Sequence, residues 1–147
     1  MKVSDSEPIY TIGIAAKKLG ISVPALRVYE KEGLIVPLRT STNRRLYSLN
    51  DLRIIETIRN LIQRDGLNFV GLRRMLSFLP CWKIKRCNPA SFDKCEVPRI
   101  ADRPCWSSGK SASRQCEDDC QSCPVYAHAC HVDDLSVYDL IEGQNFT

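Results

Sequence analysis

The first eighty residues contain no cysteine, and the 147-residue chain has no apolar run approaching membrane-spanning length. The N-terminus lacks the charged, apolar and small-residue succession of a signal peptide, so a soluble, cytoplasmic protein is the expectation. No glycine-rich nucleotide loop, Ser-His-Asp arrangement or pair of catalytic carboxylates can be assembled, which sets enzymatic chemistry aside. The second half of the chain is poor in aliphatics and interrupted by Pro89, Pro98, Pro104 and Pro124, so hydrophobic burial alone will not fold it. The first eighty residues, by contrast, have enough Ile, Leu and Val for a core of their own.

Charge divides at the same place. Residues 1–80 carry thirteen Lys plus Arg against seven Asp plus Glu, a net of +6, while residues 81–147 carry eight against ten, a net of −2. The basic half is therefore the half suited to a polyanion. Within it, Ile12, Ala15, Ala16 and Leu19 recur at helical spacing behind Thr11 as N-cap, and Gly20 ends the helix. Ser22 caps a second helix, Pro24 sits in its first turn, Leu26 with Tyr29 or Val28 forms its buried side, and Gly33 stops it. Two short helices across a glycine-containing turn predict a helix-turn-helix whose second helix, roughly 22–32, enters the major groove of DNA.

Between Pro37 and Tyr47 lie Arg39, Thr40, Ser41, Thr42, Asn43, Arg44 and Arg45, which suits a small cationic hairpin. Ser48 and Asp51 make a capping-box-like start to a third helix, with Leu52, Ile55, Ile58 or Arg59, and Ile62 on one stripe before Gly66. Asn68 caps a fourth, in which Phe69, Leu72, Met75, Leu76 and Leu79 face the same core, and Pro80 forbids its continuation.

These residues carry a resemblance. The order Tyr10-x-Ile12, Gly20-Ile21-Ser22, Leu26-Arg27-x-Tyr29-Glu30-x-x-Gly33-Leu34-Ile35-x-Pro37-x-Arg39-Thr40 and Arg45-Leu46-Tyr47-Ser48-x-x-Asp51-Leu52 resembles the N-terminal domain of the MerR family of transcription regulators. Ala15-Ala16 and the run from Gly66 to Leu76 are most similar to its heat-shock repressor branch. The resemblance covers residues 9–79, about half the chain. It implies that Arg27, Tyr29, Arg45 and Tyr47 contact the DNA backbone, with Arg39 and Arg44 as additional phosphate contacts. It places Ser22, Val23, Pro24 and Ala25 nearest the bases. The chemistry agrees, because guanidinium forks and tyrosine hydroxyls bond phosphate oxygens and position a protein without reading sequence. The four residues at the helix start offer few donors, so specificity would rest partly on thymine methyls and on DNA deformation. Tyr29 and Tyr47 also have a second reading, as half-buried core aromatics.

All eight cysteines, Cys81, Cys87, Cys95, Cys105, Cys116, Cys120, Cys123 and Cys130, fall in a segment that needs a staple. In a reducing compartment gathered thiolates are metal ligands before they are disulfides. Zinc would take four thiolates as a structural centre, whereas an iron–sulfur cluster uses the same donors and changes charge with redox state. The order Cys116-x3-Cys120-x2-Cys123 resembles some four-iron motifs and favours the cluster, while Cys120 and Cys123 are the one paired knuckle that zinc commonly uses. His128 and His131 flank Cys130 as substitute ligands. Cys81-Trp82, Cys105-Trp106 and Cys123-Pro124-Val125-Tyr126 resemble a small bacterial module with two Cys-Trp pairs, in which the Trp rings would shield sulfur from water.

The expected fold is mainly α. A winged helix-turn-helix of four helices plus a small β-hairpin wing is followed by a small, irregular, cysteine-rich, metal-stapled domain. The divisions are an N-terminal tail over 1–8, the DNA-binding domain over 9–79, the cysteine module over 80–131 and a short C-terminal helix or tail over 132–147. The polar stretch 107–115 reads as a loop. The functional expectation is a regulator that binds double-stranded promoter DNA as a homodimer while the cysteines sense redox or metal status. RNA polymerase or another protein is its further partner. The alternative makes the metal structural and the module a docking platform. MerR-like proteins generally dimerise through a long helix after the DNA-binding domain, and here Pro80 and Cys81 stand where it would begin.

Overall fold

The computed structural model describes residues 2–79, 81–85, 102–107 and 119–134. The chain opens with a short strand, β1 (Tyr10–Thr11), and then α1 (Ile12–Leu19). The hydroxyl of Thr11 accepts the Ile14 amide, and α1 ends at Gly20, which takes a left-handed φ of 65° at no steric cost because it has no Cβ. Helix α2 (Val23–Lys31) starts from Ser22, whose side chain accepts the Ala25 amide, with Pro24 in the first turn. Thus both helix starts foreseen from the caps are present.

The wing is β2 (Leu38–Arg39) and β3 (Arg45–Tyr47), closed by Thr40 and Asn43 with Asn43 in the left-handed region at φ 63°. A third strand was not foreseen. β1 pairs antiparallel with β3, Tyr10 opposite Tyr47, so the sheet order is β1-β3-β2. Two residues are too few to show an alternating pattern, and only the pairing partner reveals the strand.

Helix α3 (Leu49–Asp65) begins with a complete capping box, Ser48 and Asp51 each bonding the other's backbone N–H, and α4 (Phe69–Ser77) begins at Asn68, which accepts the Gly71 amide. The fold class is as expected, mainly helical with a small sheet. Ile54, Ile55 and Ile58 of α3 are buried together with Ala15, Leu26, Leu72 and Leu76. Arg59, the neighbour of Ile58, turns away from the core and its guanidinium donates to the Leu19 carbonyl at 2.6 Å, fastening the end of α1 to α3.

The C-terminal half contributes α5 (Cys81–Ile84), 3-10 turns at Cys105–Ser107 and Cys120–Ser122, α6 (Pro124–His128) and a 3-10 helix at Ala129–Asp134. Trp106, Cys123, Val125, Tyr126, Ala129 and Val132 belong to the same buried core as residues 10–79. The Ala129–Asp134 helix lies against α3, where the Thr57 hydroxyl donates to the Cys130 carbonyl at 2.7 Å. Cys87, Cys95, Cys116, the side chain of Trp82, loop residues 108–115 and residues 135–147 of the expected C-terminal helix lie outside the described residues. Among the described residues no helix is long and apolar enough to cross a membrane.

Candidate nucleic-acid interface

The exposed side of α2 is set by helical spacing. Leu26 faces the core, so Pro24, Arg27, Val28 and Lys31 share the outer side, all exposed, with Ser22 exposed at the cap. Val23 and Ala25 are half-buried at the same end. Tyr29, not Val28, takes the inner side, and its ring meets Phe69 of α4 edge-on at 6.2 Å. Lys31 and the 41% exposed Val28 were therefore missing from the sequence-based set, although their spacing from Pro24 could have found them.

The wing is tied to this helix by one carboxylate. Glu30 accepts from Arg39 at 2.9 Å and also from the Arg45 guanidinium. Arg39 in turn donates to the Asn43 side chain at the wing tip, 2.9 Å away. Two of the expected phosphate contacts are thus engaged within the protein, where they fix the wing to α2. Arg27 and Arg44 are both exposed, and among the described residues no carboxylate pairs with either. Exposed guanidinium groups of this kind can form bidentate hydrogen bonds with phosphate oxygens.

Tyr47 requires a correction. Expected either at the DNA backbone or half-buried in the core, it is completely buried, and among the described residues its hydroxyl has no hydrogen-bond partner. Burial, reinforced by the nearby charge of Glu30, pushes the phenol up to about 12. A Tyr47→Phe variant is expected to leave DNA binding unchanged and to be more stable by about 1 kcal/mol, because an unpaired buried hydroxyl is removed. The sign of the pH effect follows from the raised value. Above about pH 10 the unfolded chain loses a proton that folded Tyr47 keeps, so stability falls as pH rises toward 12 and the variant loses that share of the slope. Urea midpoints at neutral and alkaline pH check both points; a variant less stable at neutral pH would show that the hydroxyl has a partner.

Asp51 does more than cap α3. It is fully buried, and its carboxylate accepts from the Ser48 amide at 2.7 Å, the Ser48 hydroxyl at 3.1 Å, the Gln121 amide at 3.1 Å and the Tyr126 hydroxyl. Burial raises its pKa, opposed by the bonds from Tyr126, Ser48 and Gln121. The Tyr126 hydroxyl is pushed well above its ordinary value, first by burial and then by Asp51. The sequence showed Asp51 only as a capping residue; its partners some seventy positions away carry no local signal.

The cysteines were expected to gather around metal. Cys123 is buried, and Cys81, Cys105, Cys120 and Cys130 are half-buried against the core. Among the described residues no group of three or more His, Cys, Asp or Glu side chains comes together as a set of metal ligands. His128 Nδ1 is bonded to the Pro124 carbonyl at 2.7 Å, and His131 is exposed. The described donors therefore do not make up a zinc or iron–sulfur site on their own.

Comparison with known proteins concerns the same residues. Residues 10–79 match the model of the MerR HTH family regulatory proteins. The heat shock protein HspR of Streptomyces coelicolor is 32% identical over 75 residues, 51% of this chain and 50% of its own length. The HTH-type transcriptional regulator GlnR of Bacillus anthracis, like that of Bacillus cereus, is 38% identical over 71 residues, 48% of this chain and 54% of its own. This chain spans about half the length of the curated relatives it matches. A capped helix pair, a wing clamped to its second helix and the family match over the same residues identify 10–79 as a MerR-family helix-turn-helix domain.

Proposed function

We propose that the chain is a cytoplasmic, DNA-binding transcription regulator of the MerR type, with α2 in the major groove and the wing on the neighbouring backbone. The observation that carries this is the pair of exposed cations, Arg27 on α2 and Arg44 at the wing tip, on two elements held in fixed relation by Glu30. Pro24 and Val28 give the groove-facing side apolar surface suited to thymine methyls. A homodimer on double-stranded promoter DNA, meeting RNA polymerase or another protein, completes the reading.

Arg44→Ala is expected to weaken binding to all duplex sequences alike and to reduce the salt slope by about one, the signature of one lost phosphate contact. Fluorescence anisotropy across a salt series measures this, and an unchanged slope would remove Arg44 from the interface. Arg39→Ala should change the slope less, since Arg39 is already engaged by Glu30.

The finer part of the proposal is that the cysteine segment responds to redox or metal status through an iron–sulfur cluster or zinc. Its support is positional, because the described cysteines lie on elements packed directly on the DNA-binding domain. Metal analysis of the full chain purified without oxygen tests it. Iron with sulfide, and DNA affinity that changes on oxidation, is the expected result; colourless zinc with affinity indifferent to oxidation would make the centre structural.

A further inference from the structure

The link between α2 and the wing is short, and its backbone is held from far along the chain. Val36 lies just before β2. Its N–H donates to the Tyr126 hydroxyl at 3.1 Å, and its carbonyl accepts from the Gln121 side-chain amide at 2.6 Å. Three residues earlier, the Gly33 carbonyl accepts from the Trp106 indole at 3.1 Å, and that indole meets the Tyr126 ring edge-on at 5.1 Å. Gly33 has φ +75°, and a Cβ there would stand 2.7 Å from Ser107, so the turn and the Trp106 segment fit only with glycine between them. Tyr126 and Gln121 also both bond Asp51 at the start of α3.

A partly buried backbone N–H and C=O need partners. For Val36 both come from side chains of residues 121 and 126, so the conformation of the link is conditional on that segment being docked. We infer that Gln121 and Tyr126 are positioning residues of the DNA-binding surface, holding Val36 so that α2 and the wing present their cations together. DNA binding and docking of the 120–126 segment are then linked, each favouring the other by the same factor. Gln121 sits in the Cys120–Ser122 turn and Cys123 follows it, so the turn that holds the link carries one thiol and is flanked by another. The inference rests on the DNA-binding reading above.

Tyr126→Phe in the full chain tests it, because the ring and its contact with Trp106 remain while the hydroxyl is lost. Two duplexes serve as probes: a random-sequence pool, and a site that the wild-type chain enriches from that pool. Amide hydrogen exchange at Val36 should quicken, and affinity for the enriched site should fall by about tenfold, the scale of one lost buried hydrogen bond. Val132→Ala is the control. Val132 is buried against the same core but bonds nothing in the link, so it loses packing while Val36 exchange and DNA affinity stay at the wild-type level. Equal affinity for Tyr126→Phe and wild type, or an equal loss in Val132→Ala, would overturn the positioning role. If Tyr126→Phe does not fold, Gln121→Leu carries the same comparison through the Val36 carbonyl. A wild-type chain that binds neither duplex would remove the DNA-binding reading and this inference with it, whereas a wild type that binds and a variant that binds equally removes only the inference.

Discussion

Replacing Trp106 with alanine is expected to destabilise the whole described core by about 3–5 kcal/mol, the range for deleting a large buried aromatic. The side chain is 6% exposed, packs edge-on against Tyr126 and donates to the Gly33 carbonyl. Its removal leaves a cavity, orphans a carbonyl beside the end of α2 and deprives Tyr126 of its neighbour. Because Trp106 shares one core with Ile54, Leu26 and Leu72, the urea transition of the full chain should stay single and shift to lower denaturant. A first transition at the wild-type midpoint, with only a C-terminal signal lost, would show instead that the halves fold apart. The same logic extends to metal removal: if a chelator unfolds the C-terminal half, it should weaken residues 10–79 as well.

The second large effect belongs to Asp51. Asp51→Ala should cost at least about 3 kcal/mol, since it removes a capping box and leaves buried donors of Ser48, Gln121 and Tyr126 without their acceptor. Asp51→Asn keeps one acceptor oxygen and should lie between alanine and wild type. The pH dependence has a definite sign. Burial raises the Asp51 carboxyl above its ordinary 3.8, so folding disfavours the ionised form. Its contribution is most favourable when protonated and is lost as pH rises through the raised value, which the Asn variant cannot show. Wild type should therefore lose ground relative to Asp51→Asn over that window in paired urea titrations. A wild type that instead gains on the variant as pH rises would show that the donors outweigh desolvation.

Much of the fold was legible because the signals are local. Thr11, Ser22, Ser48 and Asn68 each cap the helix they were expected to cap, and Gly20 and Gly66 take the left-handed conformation at helix ends. The exposure of the candidate interface residues was legible in part. Arg27, Arg44, Ser22 and Pro24 are exposed as expected. Tyr47 is not, because pairing with Tyr10 and the start of α3 carry its ring into the core. Lys31 and Val28 were overlooked because the apolar rhythm of α2 is too short to choose between Val28 and Tyr29 as the inner residue.

The sequence by itself determined the helix starts and stops, which depend on residues within a few positions of one another, and also the basic half and the likeness to a MerR-type domain, which are read from residue order and composition without knowing which side chains touch. It also led to the expectation that the cysteine segment needs a staple, whereas the structure buries Trp106, Val125, Tyr126, Ala129 and Val132 in the core of residues 10–79. Only the tertiary structure decided which of the wing cations pair with Glu30, namely Arg39 and Arg45. It alone joined Gln121 and Tyr126 to Val36 and Asp51. Those contacts pair single polar groups across seventy or more residues, and a polar residue whose partner is that distant leaves no period, cap or turn in the sequence to announce it.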